Sequence, residues 1–175
     1  NFLINPYGLL FDEITASSLV KIDSEGEVLS KTPFGINRAG YVIHSAVYDH
    51  RPDVVSVIHT HTATGMAVSA MEEGLQPLFQ TSMRFYKRIG YHDYEGPAED
   101  LEERKRMAAN LGPHMALILR NHGLLTVGRS VGEAFAVMYS LEKACLAQLL
   151  AQSSGARLIT PSAVLCERDR KSTRL

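Results

Sequence analysis

One short apolar segment ends in two closely spaced histidines, and it constrains the fold of this chain more than any other feature. A β-branched run at residues 54–58 follows the turn sequence Arg-Pro-Asp at residues 51–53, which is typical of a buried strand. His59 and His61 follow that run. Because side chains two positions apart in a strand point to the same face, the two imidazoles are predicted to face one point, as they would around a metal ion.

A third histidine has a similar setting. The apolar run at residues 115–119 leads through Arg120 into Asn121-His122-Gly123. If both strands lie in one sheet, His122 can meet the first two histidines, and three neutral imidazoles with an open position are the donor set of a catalytic zinc site. The alternative is that a histidine after a strand only packs or faces solvent. Spacing alone leaves both interpretations open.

Composition restricts the class of protein. The chain has 175 residues, a formal net charge of −1 and 45% hydrophobic residues, which suits one globular domain with a sizeable core. The near-neutral charge argues against nucleic-acid or anionic-membrane partners, and no apolar run approaches the ~20 residues that span a bilayer. Cys145 and Cys166 are isolated, as is usual in a reducing cytosol. We therefore expect a cytoplasmic protein.

The two ends of the sequence suggest its domain limits. The chain begins at Asn1 rather than Met and enters the apolar residues 2–4 at once, so we expect upstream residues to be missing from it. Residues 166–175 are highly charged and are predicted to be a solvated tail. The domain itself is predicted to cover residues 1–165.

Local patterns predict alternating strands and helices. The expected strands are residues 2–4, a hairpin of 19–23 with 27–29, the histidine segment, 115–120 and 124–127. The expected helices are a turn at 11–13, a helix from Asn37 to Pro52, one from Thr62 to 71, a surface helix at 99–111, and one from 131 to about 152 with a capping box of Ser130 and Glu133. Residues 77–96 are expected to form a loop or short strand. This order favours a sheet covered by helices.

The two histidine motifs together resemble the class II aldolase and adducin family. Residues 3–8, Leu-Ile-Asn-Pro-Tyr-Gly, and the helix at residues 40–48 fit the same pattern, so the resemblance covers essentially the whole chain. It implies a three-layer α/β/α sandwich with a central, mainly antiparallel sheet. It also implies a homotetramer with active sites at subunit interfaces. Active members are divalent-metal lyases or epimerases that act on small sugar phosphates and related hydroxy-carbonyl compounds.

The resemblance also implies roles for individual residues. His59, His61 and His122 match the ligands of Zn²⁺ or of another divalent metal such as Mn²⁺ or Co²⁺. Tyr91 falls where related aldolases place a tyrosine that reaches a neighbouring subunit's site, and Gly8 falls in a loop that helps hold the substrate phosphate. Three neutral ligands leave the metal its full charge to polarise a ketone, and a tyrosine hydroxyl is a reasonable proton donor. The alternative for Tyr91 is a loop tyrosine that only packs.

The segment before the first helix departs from the active aldolases. They carry an acidic residue four positions before the histidine that matches His44, and this chain has Gly40 there. Glycine can act neither as base nor as ligand. Arg38 and Ala39 replace two serines of the phosphate-binding members; Arg38 is a candidate for a forked contact with a carboxylate or phosphate, or an exposed arginine without a role. His44 is either a ligand or base, or a helix histidine held in the core.

Three hypotheses follow. The first is a metal-dependent lyase that cleaves a small hydroxy-carbonyl or hydroxy-acid compound by an aldol-type step or by decarboxylation, with Asp93, Glu95 or Glu99 as possible replacements for the missing carboxylate. Decarboxylation fits the loss of the base, because it needs no proton abstraction. The second is a non-catalytic interaction domain, since residues 37–41 resemble the adducins, structural proteins of the actin-based membrane skeleton. The third is a metal that only ties two strands together.

Overall fold

A computed structural model describes residues 1–96 and 102–172 of the chain. It consists of two compact units. Asn1–Pro52 and Glu95–Ala108 form the first, and Asp53–Tyr94 and Ala109–Leu175 form the second.

The first unit contains a small antiparallel sheet. Strand β1 (Phe2–Ile4) pairs with β2 (Val20–Ile22), close to the strands that the sequence predicts. The predicted return strand at residues 27–29 makes only a single bridge, between Ile22 and Val28. Backbone bonds from the Asp23 N–H to the Glu27 oxygen (3.1 Å) and from the Leu29 N–H to the Lys21 oxygen (2.8 Å) still join the two segments, and the Asp23 carboxylate also accepts the N–H groups of residues 25 and 27 in the turn.

Helix α1 (Arg38–His50) is the main helix of the first unit and confirms the prediction of a helix between Asn37 and Pro52. It begins where the Asn37 side chain accepts a hydrogen bond from the Ala39 N–H at 3.1 Å, a typical N-cap. On its buried face, the Tyr41 hydroxyl donates to the backbone oxygen of Ser24 at 2.6 Å. This bond fixes the helix against the turn that follows β2.

The second unit is built on a four-stranded sheet with the strand order β3-β6-β5-β4. The strands are β3 (Ser56–Thr60), β4 (Ile89–His92), β5 (Ala116–Leu119) and β6 (Gly123–Gly128). β6 runs antiparallel to both of its neighbours, and β4 runs parallel to β5, so the sheet is mainly antiparallel, as predicted. The register pairs Thr60 with Leu124. The end of β3 therefore lies beside the start of β6, which brings the two histidine motifs together at one end of these strands.

The helices of this unit are α2 (Ala63–Ser69), α3 (Gln80–Met83), α5 (Val131–Ser153) and α6 (Ala163–Ser172). α2 and α5 begin at their predicted caps, Thr62 and Ser130. The sequence predicted neither α3 nor α6; α6 includes most of the charged run, and its Cys166 is buried. Helix α4 (Glu103–Leu111) falls within the predicted surface helix, whose first three residues lie outside the described residues.

Helix α5 is the core helix of the second unit. Val137, Met138, Leu141 and Cys145 belong to one buried cluster with residues of β5 and β6, including Ile118. Among the described residues, α5 is also the helix long and apolar enough to cross a membrane by length and composition, with 23 residues and a mean hydropathy of 1.3 over an 18-residue window. The helix is not an uninterrupted apolar run, because Glu133, Glu142 and Lys143 lie within it. Its packing against the sheet accounts for part of that composition, since 39% of the apolar window is buried.

Candidate metal centre

Three histidines, which we call the histidine triad, lie together at the end of the sheet where β3 ends and β6 begins. They are His59, His61 and His122. Each offers one ring nitrogen, and these atoms lie within 4.8 Å of one another. The ring centroids are 4.6 Å apart for His59 and His61, 4.9 Å for His59 and His122, and 4.7 Å for His61 and His122. The sequence prediction that the third histidine meets the first two in space matches this arrangement.

The neighbouring strand holds His59. Its Nδ1 lies 2.8 Å from the backbone oxygen of Leu124, so we infer that Nδ1 carries the proton and donates. The lone pair of Nε2 then points to the Nε2 of His61, 2.7 Å away. A backbone carbonyl that fixes the tautomer in this way is the usual partner of a metal-binding histidine.

The backbone around His122 explains the Asn-His-Gly motif. Asn121 has a φ of 54°, a left-handed conformation that asparagine tolerates better than most residues. Its N–H donates to the backbone oxygen of Ser69 at 3.2 Å. A Cβ on Gly123 would overlap the backbone oxygen of Thr60 and lie 3.2 Å from Cδ2 of His61. The two motifs can therefore lie side by side only with glycine at position 123.

The electrostatic environment of His122 favours its neutral imidazole. Burial lowers the pKa of His122, and the neighbouring His61 and His92 lower it further. Neutral imidazole is the form that binds a metal. Nitrogens about 2.0–2.1 Å from a tetrahedral Zn²⁺ lie about 3.3 Å apart, so rings whose ligand atoms lie within 4.8 Å of one another would move closer around a bound ion. The donor set therefore fits a divalent cation; imidazole ligands do not by themselves select Zn²⁺ over Co²⁺.

The predicted Tyr91 and its near neighbour Tyr94 differ in their contacts. The Tyr91 hydroxyl accepts the Leu75 N–H at 3.1 Å, and the Arg120 guanidinium lies 4.5 Å from the centre of its ring. Burial raises the pKa of Tyr91 despite these two contacts, which lower it. Tyr94 is the tyrosine whose ring lies near the histidine triad, 6.4 Å from that of His122. No role is predicted for Tyr94 from the sequence, although it lies only three positions after Tyr91.

A cleft of about 570 Å³ is lined by residues that precede His122 in the chain and by Tyr94. Among the residues that line it are Glu72, Asp93, Tyr94, Arg120 and Asn121. Arg120 and Asn121 immediately precede His122 in the chain, so the cleft begins at the turn that carries this histidine. Its side chains carry both signs of charge and suit a small polar molecule better than an apolar one.

This cleft distinguishes the carboxylates that the sequence left open. Asp93 lines it. Glu95 belongs to the first unit and forms an ion pair with Arg106. Glu99 lies outside the described residues. Of the three candidate carboxylates, Asp93 is therefore the one that belongs to the second unit and lines its cleft.

The predicted substrate residues Gly8 and Arg38 belong to the first unit, whereas the histidine triad belongs to the second. Gly8 follows β1 with a φ of 91°, a conformation that glycine adopts without strain. Arg38 is exposed at the first position of α1. Neither position contradicts a role in anion binding, and both roles stay predictions.

Gly40 and His44 lie on α1. A Cβ on Gly40 would make only ordinary contacts, the nearest at 3.6 Å to Cβ of Asn37 and 3.8 Å to Cδ1 of Ile4. Packing therefore does not require glycine at position 40. Burial lowers the pKa of His44 to about 4, so its imidazole is neutral near pH 7. Its side chain is half-buried on α1, and the choice between a core histidine and a ligand or base stays a prediction.

Comparison with known proteins identifies the family. The model of the class II aldolase and adducin N-terminal domain matches residues 1–149. A protein of Pseudomonas aeruginosa provisionally named a class 2 aldolase is 54% identical over 159 residues, which cover 91% of this chain and 61% of that protein. Rat alpha-adducin is 46% identical over 160 residues, which cover 89% of this chain and 22% of the adducin. The chain thus spans about three fifths of the bacterial relatives.

Solved structures agree with this result. An aldolase II superfamily protein from Pseudomonas syringae superposes with a TM-score of 0.94 at 50% identity, covering 98% of this chain and 70% of that one. L-fuculose 1-phosphate aldolase from Glaciozyma antarctica superposes with a TM-score of 0.85 at 33% identity, covering 97% and 66%. The predicted fold class is confirmed by these neighbours. Since the family model matches most of its length, this chain belongs to the class II aldolase and adducin family.

Proposed function

We propose that this chain carries the metal site of a divalent-metal-dependent lyase that acts on a small hydroxy-carbonyl or hydroxy-acid compound. The observation that supports this most is the histidine triad, with three ligand atoms within 4.8 Å and a tautomer set by Leu124. Zn²⁺ is the proposed metal, with Mn²⁺ and Co²⁺ as alternatives. The similarity to L-fuculose 1-phosphate aldolase supports the same class of chemistry.

The residues of the chain have distinct proposed tasks. When bound, the cation would act as a Lewis acid on a substrate oxygen, and three neutral ligands would leave its charge undiminished. Tyr91 is the proposed proton donor: its raised pKa keeps the phenol protonated, and the bond from Leu75 occupies an acceptor position of the oxygen, not its proton. Tyr94 is a second candidate, because its ring lies 6.4 Å from that of His122.

Two reactions remain compatible with the missing acid at position 40. Aldol-type cleavage needs a group that removes a proton from a substrate hydroxyl, and Asp93 in the cleft is the proposed base for it. In decarboxylation, the bonding electron pair stays on the substrate as an enolate when carbon dioxide leaves, so only a proton donor is needed. The motif resemblance proposes Gly8 and Arg38 as contacts for the anionic group of the substrate.

We further propose that the protein is a cytoplasmic homo-oligomer, a tetramer as the resemblance implies. An exposed apolar stripe on α5 supports this. Its members recur at helical spacing and are 46–69% exposed: Val131, Phe135, Tyr139, Leu146 and Leu150. Such a stripe on a core helix is typical of a surface that another subunit covers.

A second candidate function is an adducin-like interaction domain without turnover, of the type that binds the actin cytoskeleton. Two observations favour it. Position 40 lacks the acid of the active aldolases, and rat alpha-adducin is 46% identical, although the Pseudomonas aeruginosa protein is 54% identical. On this hypothesis the histidine triad binds no metal, or binds one that only ties strands together.

Metal analysis separates the two candidates. We expect about one equivalent of divalent metal per chain, lost in His61→Ala and kept in the matched control His50→Ala, an exposed histidine on α1. Wild-type protein that folds but takes up no Zn²⁺, Mn²⁺ or Co²⁺ at neutral pH would contradict the lyase proposal. Metal without turnover of any hydroxy-acid or hydroxy-carbonyl substrate would favour the structural role.

A further inference from the structure

A carboxylate on the core helix accepts hydrogen bonds from three threonines beside the histidine triad. Glu142 of α5 accepts from the hydroxyls of Thr60 at 2.8 Å, Thr62 at 2.8 and 2.9 Å, and Thr64 at 3.0 Å. These four residues, which we call the threonine–glutamate cluster, join the end of β3, the start of α2 and the middle of α5. The metal chemistry proposed above gives Glu142 no task.

The cluster lies on the other side of the strand from the histidines. Thr60 stands between His59 and His61, and alternation along a strand points its side chain to the opposite face. There its hydroxyl lies 3.6 Å from the sulfur of Met138 and 2.8 Å from Glu142, both on α5. Glu142 therefore contacts the metal-binding segment on the face opposite the histidines, and it is not one of the residues whose ligand atoms are grouped.

The three histidines differ in what holds their rings. His59 has its bond to the Leu124 carbonyl, and His122 sits on the turn set by Asn121 and Gly123. His61 is exposed, and among the described residues its ring hydrogen-bonds only to that of His59. Its direction must then come from its backbone. The residues on either side of it, Thr60 and Thr62, both donate to the same carboxylate.

A carboxylate is the group that suits this position. An ionised glutamate is an acceptor only, with room for several donors on its two oxygens, and hydrogen bonds to a charged acceptor are the stronger ones. Thr62 also accepts the Gly65 N–H at 3.0 Å as the N-cap of α2, so its hydroxyl is used in both directions. The cluster thus fixes the direction in which the chain leaves β3 and enters α2.

We propose that Glu142 is a positioning residue for the metal centre: through Thr60 and Thr62 it fixes the backbone of His61 and so sets the geometry and affinity of the histidine triad. This inference rests on the proposed metal-binding function. It adds to the metal centre a supporting residue that lies 82 positions from Thr60 in sequence and on the opposite side of the strand from the ligands.

The test titrates Co²⁺ into the metal-free full chain and follows the visible absorption of the bound ion. Glu142→Gln removes the charge and keeps the shape, and we expect the affinity to fall about tenfold, the lower end of the roughly 10–100-fold effect of groups that orient ligands. The absorption bands should shift as well, since their position reports coordination geometry. Wild-type affinity and bands in a folded Glu142→Gln variant would overturn the inference.

Two further variants make the test specific. Thr60→Val removes only the hydroxyl between the two ligands and should weaken Co²⁺ binding about threefold; the double variant should lose less than the product of the two effects, because both remove one contact. Glu133→Gln is the matched control: Glu133 also lies on α5 but accepts the Arg129 N–H at its start, so it should keep wild-type affinity. If Glu142→Gln does not fold, unchanged binding in Thr60→Val overturns the inference.

The controls separate this inference from the proposed function. A wild-type chain that takes up no Co²⁺ refutes the metal site and the inference with it. A wild-type chain that binds Co²⁺, with variants that bind equally well, refutes only the role of Glu142. A thermal unfolding scan of each metal-free variant shows whether a loss of affinity accompanies a general loss of stability, as a purely structural role would require.

Discussion

Two glycines differ in how strongly the fold requires them: Gly123, which belongs to a motif shared with the family, and Gly40, which stands where the active aldolases carry an acid. At Gly123, an added Cβ would overlap the backbone oxygen of Thr60. At Gly40, an added Cβ would make only ordinary contacts, none closer than 3.6 Å. The first glycine is required by the approach of β6 to β3 beside the histidine triad. The second glycine is not required by packing at Cβ. The absence of an acid at position 40 is therefore a chemical difference from the active aldolases and not a consequence of steric crowding.

The largest effect is expected at the required glycine. Gly123→Ala forces β3 and β6 apart at His61, and we expect a loss of about 3 kcal/mol in the free energy of unfolding together with loss of metal binding. Urea denaturation and metal analysis measure both. The matched control is Gly132→Ala on α5, whose nearest neighbour to an added Cβ is 4.0 Å away; it should be neutral or slightly stabilising. A Gly123→Ala variant as stable as wild type would remove the steric explanation of the motif.

His44, on the same helix as Gly40, predicts a pH dependence of stability. Burial lowers its pKa from 6.5 to about 4, so between these values the unfolded chain binds a proton that the folded chain does not. Stability should therefore fall as the pH decreases from 6.5 to 4, by up to about 3 kcal/mol. Denaturation of wild type and His44→Leu at several pH values checks this. The prediction fails if the variant shows the same acid sensitivity over that interval.

Asn121 offers a smaller test of the metal-binding turn. Its φ of 54° is easy for glycine and costly for a β-branched residue. We expect Asn121→Gly to keep metal binding and stability close to wild type, and Asn121→Val to lose about 1–2 kcal/mol and bind metal more weakly. Thermal unfolding and Co²⁺ titration of this pair measure the effect at one position. Equal behaviour of the two variants would mean that the turn does not depend on that conformation.

The sequence predicted local features better than distant contacts. Helices with clear caps, at Asn37, Thr62 and Ser130, start where expected, because the cap depends on neighbouring residues only. The pairing of His59 with His61 follows from strand alternation, and the approach of His122 needed only the assumption of one sheet.

Contacts between distant side chains could not be predicted in this way. Nothing near Thr60 in sequence points to Glu142, and nothing in the pattern of aromatic residues distinguishes Tyr94, whose ring lies near His122, from Tyr91, which hydrogen-bonds to Leu75. The short helix α3 was missed because a single turn of four residues has too few positions to show a helical period. Register and tertiary packing decide these features.

The smallest expected change in stability is at Gly40, the second glycine of the comparison. Substitutions at this position also test most directly which reaction the protein catalyses. Gly40 is the third residue of α1, where alanine is favoured over glycine by up to about 1 kcal/mol and a glutamate also gains from the helix N-terminus. Gly40→Ala and Gly40→Glu should therefore both raise the free energy of unfolding slightly, as measured in urea. Only Gly40→Glu restores the carboxylate that active aldolases of the family carry, so only this variant should increase aldol-type cleavage over wild type. Equal activity in the two variants would mean that the missing carboxylate does not limit this reaction, and that the choice between cleavage and decarboxylation must be decided in the cleft beside Asp93.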